Sequence, residues 1–221
     1  MAPVRFRFQT IEVGDADIHL RTLRDRQQFD DIDGAAEALG VSPSSWPLTG
    51  VLWECSRVLA ELMAERKVEG LRILEVGCGI GLVSLCLNQR NADISASDHN
   101  PSAKQFLDYN TNLNDDEPIP FFQADWQGEN AGLGEFDLIL GSDLLYERDH
   151  AATLSAFISR HSAAHCEVII VDPGRGHRNR YTRNMEELGY VSTTQDSLPF
   201  EGMSKGFTSR VLTYKRATSP G

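Results

Sequence analysis

LRILEVGCGIG, at Leu71–Gly81, decides the fold of this chain. Its apolar first half has the length and composition of a short buried strand, and its second half places glycines at three alternate positions. Hydrophobic residues at helical spacing follow over residues 80–87. We therefore predict a strand, a tight turn and a helix. Because glycine lacks a Cβ atom and a helix N-terminus presents oriented amides, such a turn suits a nucleotide-like ligand.

The spacing of these glycines argues against a dinucleotide site. A G-x-G-x-x-G fingerprint counted from Gly77 or Gly79 would need a glycine at position 82 or 84, where the chain has leucine and serine. The pattern Glu75-x-Gly77-x-Gly79-x-Gly81 instead resembles the first motif of the S-adenosylmethionine-dependent methyltransferases with a Rossmann-like fold. The resemblance implies that Glu75 and the three glycines belong to a binding site for S-adenosylmethionine. A plain strand-to-helix connector is the alternative interpretation of the turn taken alone.

Length and composition limit the class of protein. At 221 residues, of which 41% are hydrophobic, the chain fits one α/β domain with an ample core. The formal net charge of -11 opposes tight binding to a phosphate backbone, so we expect no nucleic-acid partner. A basic partner is compatible with this charge, although an acidic surface also serves solubility alone.

Targeting segments and metal sites are not indicated. No stretch has the length and hydrophobicity of a signal peptide or a membrane span, so we expect a cytoplasmic protein without a membrane partner. The four cysteines include no C-x-x-C pair, which favours reduced thiols over disulfides or a zinc site. His161 and His165 have a metal-like helical spacing next to Cys166, but no third ligand with suitable spacing is evident. We predict a solvated helix end there and no metal.

The segment before the glycine motif contains a tryptophan of interest. We predict a helix over about 51–67, with Thr49 as its N-terminal cap. Trp53 falls outside the apolar stripe of that helix, which is compatible with packing at a domain edge or with an aromatic wall beside the cofactor. We favour the wall, because Trp46-Pro47 and Gly50-x-x-Trp53 resemble the segment before the first motif in a branch of small protein-lysine methyltransferases.

Two carboxylates end the predicted strands that follow the motif. Asp98 closes the strand Ala92–Asp98 at 17 positions after Gly81 (98 − 81), where its oxygens are placed to accept hydrogen bonds from two ribose hydroxyls. Its alternative role is to cap the helix that follows. Asp125 closes the next strand, and the methyltransferase resemblance implies that it accepts a hydrogen bond from the adenine amino group. Trp126 either stacks near the ring or plugs the loop.

A long apolar run at 136–140 predicts a buried central strand, at whose carboxyl end the reaction should occur. The sequence Ser142-Asp143-x-x-Tyr146 resembles the Asp-x-x-Tyr signature of the protein-lysine branch, which includes enzymes acting on elongation factors, calmodulin, chaperones and electron transfer flavoprotein. The resemblance implies that Ser142 lies at the cofactor, that Asp143 holds the incoming ammonium, and that Tyr146 bounds the methyl path or orients the amine. The chain lacks the Asn-Pro-Pro-Tyr arrangement of enzymes that methylate adenine or glutamine amides.

The remaining elements complete an alternating α/β pattern. We predict a helix over about 150–164, a strand over 167–172 and a helix over about 179–188, followed by a terminal antiparallel pair at 190–194 and 210–215. The turn Asp172-Pro173-Gly174-Arg175 follows the strand at 167–172. It resembles the same sequence in the electron-transfer-flavoprotein enzymes and is predicted to line the substrate entrance. Turn chemistry alone explains it equally well.

The methyltransferase resemblance covers about residues 46–215. It implies a Rossmann-like, doubly wound, mainly parallel seven-stranded sheet with helices on both faces and an antiparallel last strand. We predict an N-terminal β-hairpin and cover segment at 1–45, a methyltransferase domain at 46–216 and a disordered tail at 217–221.

The expected activity is transfer of a methyl group from S-adenosylmethionine to a lysine side chain of a protein. One alternative is a small-molecule N- or O-methyltransferase, and another is a protein that binds S-adenosylmethionine without catalysis. An NAD-linked oxidoreductase is the most distant alternative. The protein substrate and the oligomeric state stay open at this point.

Overall fold

The computed structural model describes residues 4–25, 27–28, 31, 33–128 and 132–216. These residues form nine strands, six α-helices and one 3-10 helix. In chain order they are β1 (Phe6–Val13), β2 (Ala16–Leu23), α1 (Ala35–Ala38), the 3-10 helix (Trp46–Gly50), α2 (Glu54–Glu65), β3 (Arg72–Val76), α3 (Leu82–Gln89), β4 (Asp93–Asp98), α4 (Ser102–Leu113), β5 (Phe121–Gln123), β6 (Phe136–Ser142), α5 (His150–His161), β7 (Ser162–Asp172), α6 (Arg178–Glu187), β8 (Tyr190–Asp196) and β9 (Arg210–Arg216).

Seven of the strands form one sheet in the order β5-β4-β3-β6-β7-β9-β8. Neighbours from β5 to β7 run parallel, whereas β9 is antiparallel to both β7 and β8. The chain starts this sheet at its centre with β3, extends it through β4 and β5, and then returns to the other side of β3 with β6. Ligands of open α/β sheets bind at such a reversal. The predicted doubly wound sheet and its antiparallel terminal pair are confirmed.

Alternating side chains of the central strands fill an apolar layer on each face of the sheet. On β3, Ile73 packs in the layer that includes α2 and α3, whereas Leu74 packs in the layer that includes α5 and α6. Leu138 and Ile139 of β6 divide between the two layers in the same way. Helices on both faces therefore leave only the strand ends open to loops. No helix in the described part of the chain is long and apolar enough to cross a membrane.

β1 and β2 form the N-terminal hairpin that the sequence predicts. One asparagine of α4 and another at its C-terminal cap hold this hairpin by its backbone. Asn110 Oδ1 accepts a hydrogen bond from Arg21 N at 2.7 Å, and Asn114 Oδ1 accepts one from His19 N at 2.8 Å. The proposed domain boundary after residue 45 stays a prediction, and the predicted tail at 217–221 lies outside the described residues.

The segment before α2 differs from the prediction. Trp46–Gly50 form the 3-10 helix, and α2 begins later than predicted, at Glu54. Thr49 lies inside the 3-10 helix, so its predicted role as the cap of α2 is wrong. The residue at the N-cap of α2 is Trp53, whose indole Nε1 instead donates a hydrogen bond to Leu48 O at 2.9 Å. This bond spans the residues that connect the 3-10 helix to α2.

The boundary between α5 and β7 also differs from the prediction. α5 ends at His161 and β7 begins at Ser162, because Ser162 pairs with Phe136 of β6 and continues in the sheet. His165 therefore lies in a strand, and His161 is buried with Nδ1 2.8 Å from Gly134 O. The predicted solvated helix end is wrong. No group of three His, Cys, Asp or Glu side chains suited to a metal occurs within the described ranges.

Candidate active site

The turn after β3 has the unusual backbone that its glycines predict. Gly77, Gly79 and Gly81 have φ values of 66°, 53° and 84°, all in the left-handed region. The protein itself fills the space that their missing side chains leave. A Cβ atom at Gly77 would lie 2.5 Å from Leu144 Cδ2, and one at Gly81 would lie 2.4 Å from Leu107 Cδ1. The glycines thus let the loop after β6 and helix α4 pack onto the turn.

Glu75 secures this turn from inside the protein. Its side chain is buried, and Oε2 accepts hydrogen bonds from Ser84 N at 2.9 Å and from Ser84 Oγ at 2.5 Å. Burial raises the pKa of Glu75 to about 7, although the bonds from Ser84 oppose that rise. Glu75 therefore ties the end of β3 to the first turn of α3. Its predicted cofactor role stays a prediction, and any effect on a ligand would act through the turn.

Asp98 connects the end of β4 to the glycine turn. Oδ2 accepts a hydrogen bond from Gly79 N at 2.9 Å, and Oδ1 accepts one from Asn100 N at 2.8 Å. The side chain that reaches the start of α4 is that of Asn100, whose Oδ1 accepts a hydrogen bond from Ser102 N at 3.0 Å. Asp98 is partly exposed, and a carboxylate has about four lone-pair sites. Its oxygens retain the capacity to accept two hydroxyl donors, as the predicted ribose role requires.

Asp125 and Trp126 lie just beyond the end of β5. Asp125 is exposed, and its Oδ1 accepts a hydrogen bond from Gln127 N at 2.9 Å. Trp126 is half-buried and packs edge-on against His150, with 5.1 Å between the ring centroids. The roles of Asp125 at adenine and of Trp126 as a stacking residue stay predictions.

The loop after β6 is fixed on both sides. Asp143 takes a left-handed conformation with φ 54°, and its N donates a hydrogen bond to Val171 O at 2.9 Å. The next side chain, Leu144, lies between two glycines, because a Cβ atom at Gly141 would also come within 2.5 Å of it. Ser142 is the last residue of β6 and is partly buried. The loop is thereby locked against the glycine turn.

Tyr146 lies at the outer part of this loop and is 46% exposed. Its ring meets His150 edge-on at 4.5 Å between centroids. Desolvation, together with the negative charges of Asp98, Glu147 and Asp143, raises the pKa of its hydroxyl to about 12. Tyr146 is therefore protonated at neutral pH, and it can donate a hydrogen bond but is poorly suited to act as a base.

Asp143 has a partner, Arg175, that the sequence alone does not assign. Arg175 Nε is 2.5 Å from Asp143 Oδ1, and Arg175 Nη2 is 2.7 Å from Asp143 Oδ2. The guanidinium carbon also lies 6.0 Å from the ring centroid of Trp53, which places that tryptophan at the same edge of the site. The feature of the sequence that points to Arg175 is the turn at 172–175, which follows a buried strand and is predicted to line the substrate entrance. Whether Trp53 forms a wall for the cofactor stays a prediction.

The predicted site residues lie along one edge of the sheet. Their order across adjacent strands is Asp125 after β5, Asp98 at the end of β4, the glycine turn after β3, and Asp143 after β6. The residues predicted for adenine, for ribose and for the acceptor thus follow one another in this order, and their roles stay predictions. The edge thus has the layout of an elongated cofactor site with an acceptor position at one end.

Comparison with known proteins shows the family of this chain. A family model described as lysine methyltransferase matches residues 44–188, which is more than half of the chain. The chain belongs to the lysine methyltransferase family. The electron transfer flavoprotein beta subunit lysine methyltransferase of Mus musculus is 29% identical over 173 residues, covering 75% of this chain and 65% of that protein. Protein N-lysine methyltransferase METTL21A of Danio rerio is 32% identical over 108 residues, covering 45% of this chain and 49% of that protein.

Solved structures show the same fold at low sequence identity. Magnesium protoporphyrin IX methyltransferase from Synechocystis, solved with bound S-adenosylmethionine, has a TM-score of 0.58 and 19% identity, covering 74% of this chain and 78% of that one. This chain spans less than two thirds of the mouse relative and about half of the zebrafish relative. By its family, S-adenosylmethionine is its cofactor.

The residues present fit that cofactor. Asp98 offers carboxylate oxygens beside the backbone amide of Gly79, and Asp125 offers an exposed carboxylate two strands from the glycine turn. When bound, S-adenosylmethionine supplies an electrophilic methyl group on its sulfonium. Asp98, Asp125 and the glycine turn are the residues that would hold it.

The burial of Glu75 predicts a pH-dependent stability. A carboxyl whose folded pKa is about 7, against 4.5 for the free group, favours the folded state less as it ionises. Its contribution to the unfolding free energy should therefore fall by about 3 kcal/mol as the pH rises from 4.5 to 7. Glu75→Gln should lack this fall and gain stability relative to the native chain. Urea unfolding at several pH values measures this pH dependence of the unfolding free energy. Glu69→Gln, at an exposed glutamate, is the control. A constant difference between the Glu75 variant and the native chain across pH 5–8 would contradict the assignment.

Removal of the Asp98 carboxylate should weaken cofactor binding. Hydrogen bonds to charged groups contribute about 1.5–3 kcal/mol, so Asp98→Ala should raise the Kd for S-adenosylmethionine by ~10–100-fold in calorimetry. Asp93→Ala, at the exposed opposite end of β4, is the matched control and should bind as the native chain does. Unchanged affinity of the Asp98 variant would remove the ribose assignment.

Proposed function

We propose that this chain transfers a methyl group from S-adenosylmethionine to the side chain of a lysine in a protein. The observation that carries the proposal is the position of Asp143 directly beyond β6, next to the glycine turn, in a chain of the lysine methyltransferase family. The named activities of the mouse and zebrafish relatives support a protein lysine as the acceptor.

The acceptor has to reach the site as a neutral amine. A lysine with a reference pKa of ~10.4 needs about 4.6 kcal/mol to lose its proton at pH 7. Asp143 can orient the nitrogen by accepting an N–H hydrogen bond, and Tyr146, being protonated, can donate one. Tyr146, with a pKa raised to about 12, is not suited to remove the proton at neutral pH. We infer that the surroundings of the acceptor lower the cost of deprotonation and that water receives the proton.

The proposed partner is a lysine-bearing protein, with no nucleic acid and no membrane. The formal net charge of -11 supports the exclusion of a phosphate backbone and favours a basic region around the target lysine. We propose a cytoplasmic location, which the four buried, unpaired cysteines support, since reduced thiols suit that compartment. The division into an extension at 1–45 and a methyltransferase domain at 46–216 is proposed on the same sequence grounds.

Transfer of radiolabelled methyl from S-adenosylmethionine into a lysate of the host organism tests the function. Protein and small-molecule fractions are counted separately, and mass spectrometry assigns the labelled residue. We expect label on lysine in a protein. Label in the small-molecule fraction alone would favour the small-molecule alternative, and cofactor binding without any transfer would favour the non-catalytic alternative.

Asp143→Asn should reduce this transfer by at least ~100-fold, because a small loss of orientation at the acceptor has an effect of that order. Its affinity for S-adenosylmethionine should stay within about twofold of the native value in calorimetry. Asp196→Asn is the matched control, since Asp196 is an exposed carboxylate at the end of the edge strand β8. Native turnover by the Asp143 variant would refute its role at the acceptor.

A further inference from the structure

Arg175 forms an ion pair with Asp143, the carboxylate that is proposed to orient the acceptor nitrogen. One guanidinium engages both carboxylate oxygens, at 2.5 Å and 2.7 Å. The Asp143 side chain is only 10% exposed, whereas that of Arg175 is 42% exposed. A two-point pair with a sheltered carboxylate has a defined geometry and a strength well above that of an open surface pair. The charge of Asp143 is therefore largely compensated in the resting protein.

Other charged groups around Asp143 come from several elements. Asp172, at the end of β7, is buried, and Arg175 and Arg178 both oppose its charge. α2 contributes Glu54 and Cys55. Burial raises the pKa of the Cys55 thiol most, and the negative charges of Asp143 and Asp172 raise it further. The loop after β6 contributes Tyr146 and Glu147, and β4 contributes Asp98 from the cofactor side. The cysteine and the tyrosine stay neutral up to pH 9.5.

Asp172 is a second buried carboxylate at this edge of the sheet, and only one of its oxygens has a hydrogen-bond partner among the described residues. Its Oδ2 accepts a hydrogen bond from Gly174 N at 2.9 Å, whereas its Oδ1 is buried and has no hydrogen-bond partner among the described residues. Gly174 and Gly176, on either side of Arg175, have φ values of 91° and 95°. These glycines turn the chain sharply on both sides of Arg175, so that its guanidinium reaches Asp143 and the face of Trp53.

We propose that Arg175 is a positioning residue of the acceptor site, which cancels the charge of Asp143 so that the site binds a lysine as the neutral amine and does not retain the ammonium. This inference rests on the proposed function, because it concerns the acceptor of that reaction. It assigns to Arg175 a role in the protonation state of the acceptor.

The physical reason lies in what an uncompensated carboxylate would do. A negative charge within ~4–6 Å favours the protonated form of an amine, and the protonated form has no lone pair with which to attack a methyl group. With Arg175 in place, each Asp143 oxygen still has a lone pair that can accept an N–H bond from a neutral amine. The pair thus keeps the hydrogen bond that orients the nitrogen and removes the charge that would trap the unreactive ammonium.

The test measures the binding of n-butylamine, which mimics the end of a lysine side chain, by NMR titration in excess S-adenosylhomocysteine from pH 7.5 to 9.5. A site that takes the neutral amine should bind about tenfold more tightly for each pH unit, because the neutral fraction rises tenfold. We expect this slope for the native chain. Arg175→Gln should give a flat dependence and at least ~10-fold tighter binding at pH 7.5, because the free carboxylate retains the ammonium.

Three further variants separate charge from structure. Arg180→Gln makes the same change at an exposed residue of the neighbouring α6, and it should behave as the native chain does. Arg175→Lys keeps the positive charge and should keep the steep slope. Asp143→Asn in the Arg175→Gln background should restore the steep slope, because the uncompensated charge is gone.

The proposal is overturned if the native chain shows a flat pH dependence, if Arg175→Gln keeps the native slope, or if n-butylamine does not bind at pH 9.5. The methyl-transfer assay does not enter this readout. A steep native slope that flattens in Arg175→Gln, without label in any lysate protein, would leave Arg175 assigned and refute the protein-lysine function. Labelled lysine in a lysate protein, together with the same pH slope in the native chain and in Arg175→Gln, would support the protein-lysine function and refute the role of Arg175.

Discussion

The contact of Leu144 with two glycines is the constraint on which the site depends. This side chain lies against Gly77 in the turn after β3 and against Gly141 near the end of β6, and a Cβ atom at either glycine would come within 2.5 Å of it. The glycine turn and the loop that carries Asp143 are therefore set relative to each other by packing. Because Leu144 is buried in the layer that includes α5 and α6, the whole second face of the sheet supports this arrangement.

Compensation of negative charge is a second common feature of the site. Asp98 receives two backbone amides, Asp143 receives a guanidinium, and Glu75 receives both the amide and the hydroxyl of Ser84. In an acidic chain, such contacts determine which carboxylates stay available to ligands. Asp125 is exposed and Asp98 is partly exposed, so both carboxylates are accessible from outside the protein. Glu75 is enclosed and serves the backbone of the turn.

Much of the fold could be predicted from the sequence, because strong local signals coincide with it. The glycine turn, the apolar strand at 136–140 and the carboxylates at strand ends fix the order of the elements, and the structure confirms the sheet. The start of α2 could not be predicted, since the apolar pattern does not reveal the hydrogen bond from Trp53 Nε1 to Leu48 O. The pairing of Ser162 with Phe136 extends β7 against the local helical pattern. The contact between Arg175 and Asp143 joins residues 32 apart, which spacing alone does not reveal.

The position of β3 in the sheet has a consequence for folding. β3 pairs with β6 through Ile73 and Leu138, which are 65 residues apart (138 − 73), whereas both antiparallel hairpins join nearer segments. Closing a long loop before its contacts form is slow, so we expect the hairpins to form early and the central parallel pairing late. The glycine turn and the Asp143 loop meet only across that pairing. A partly folded chain would therefore contain most of its local structure and still lack the site.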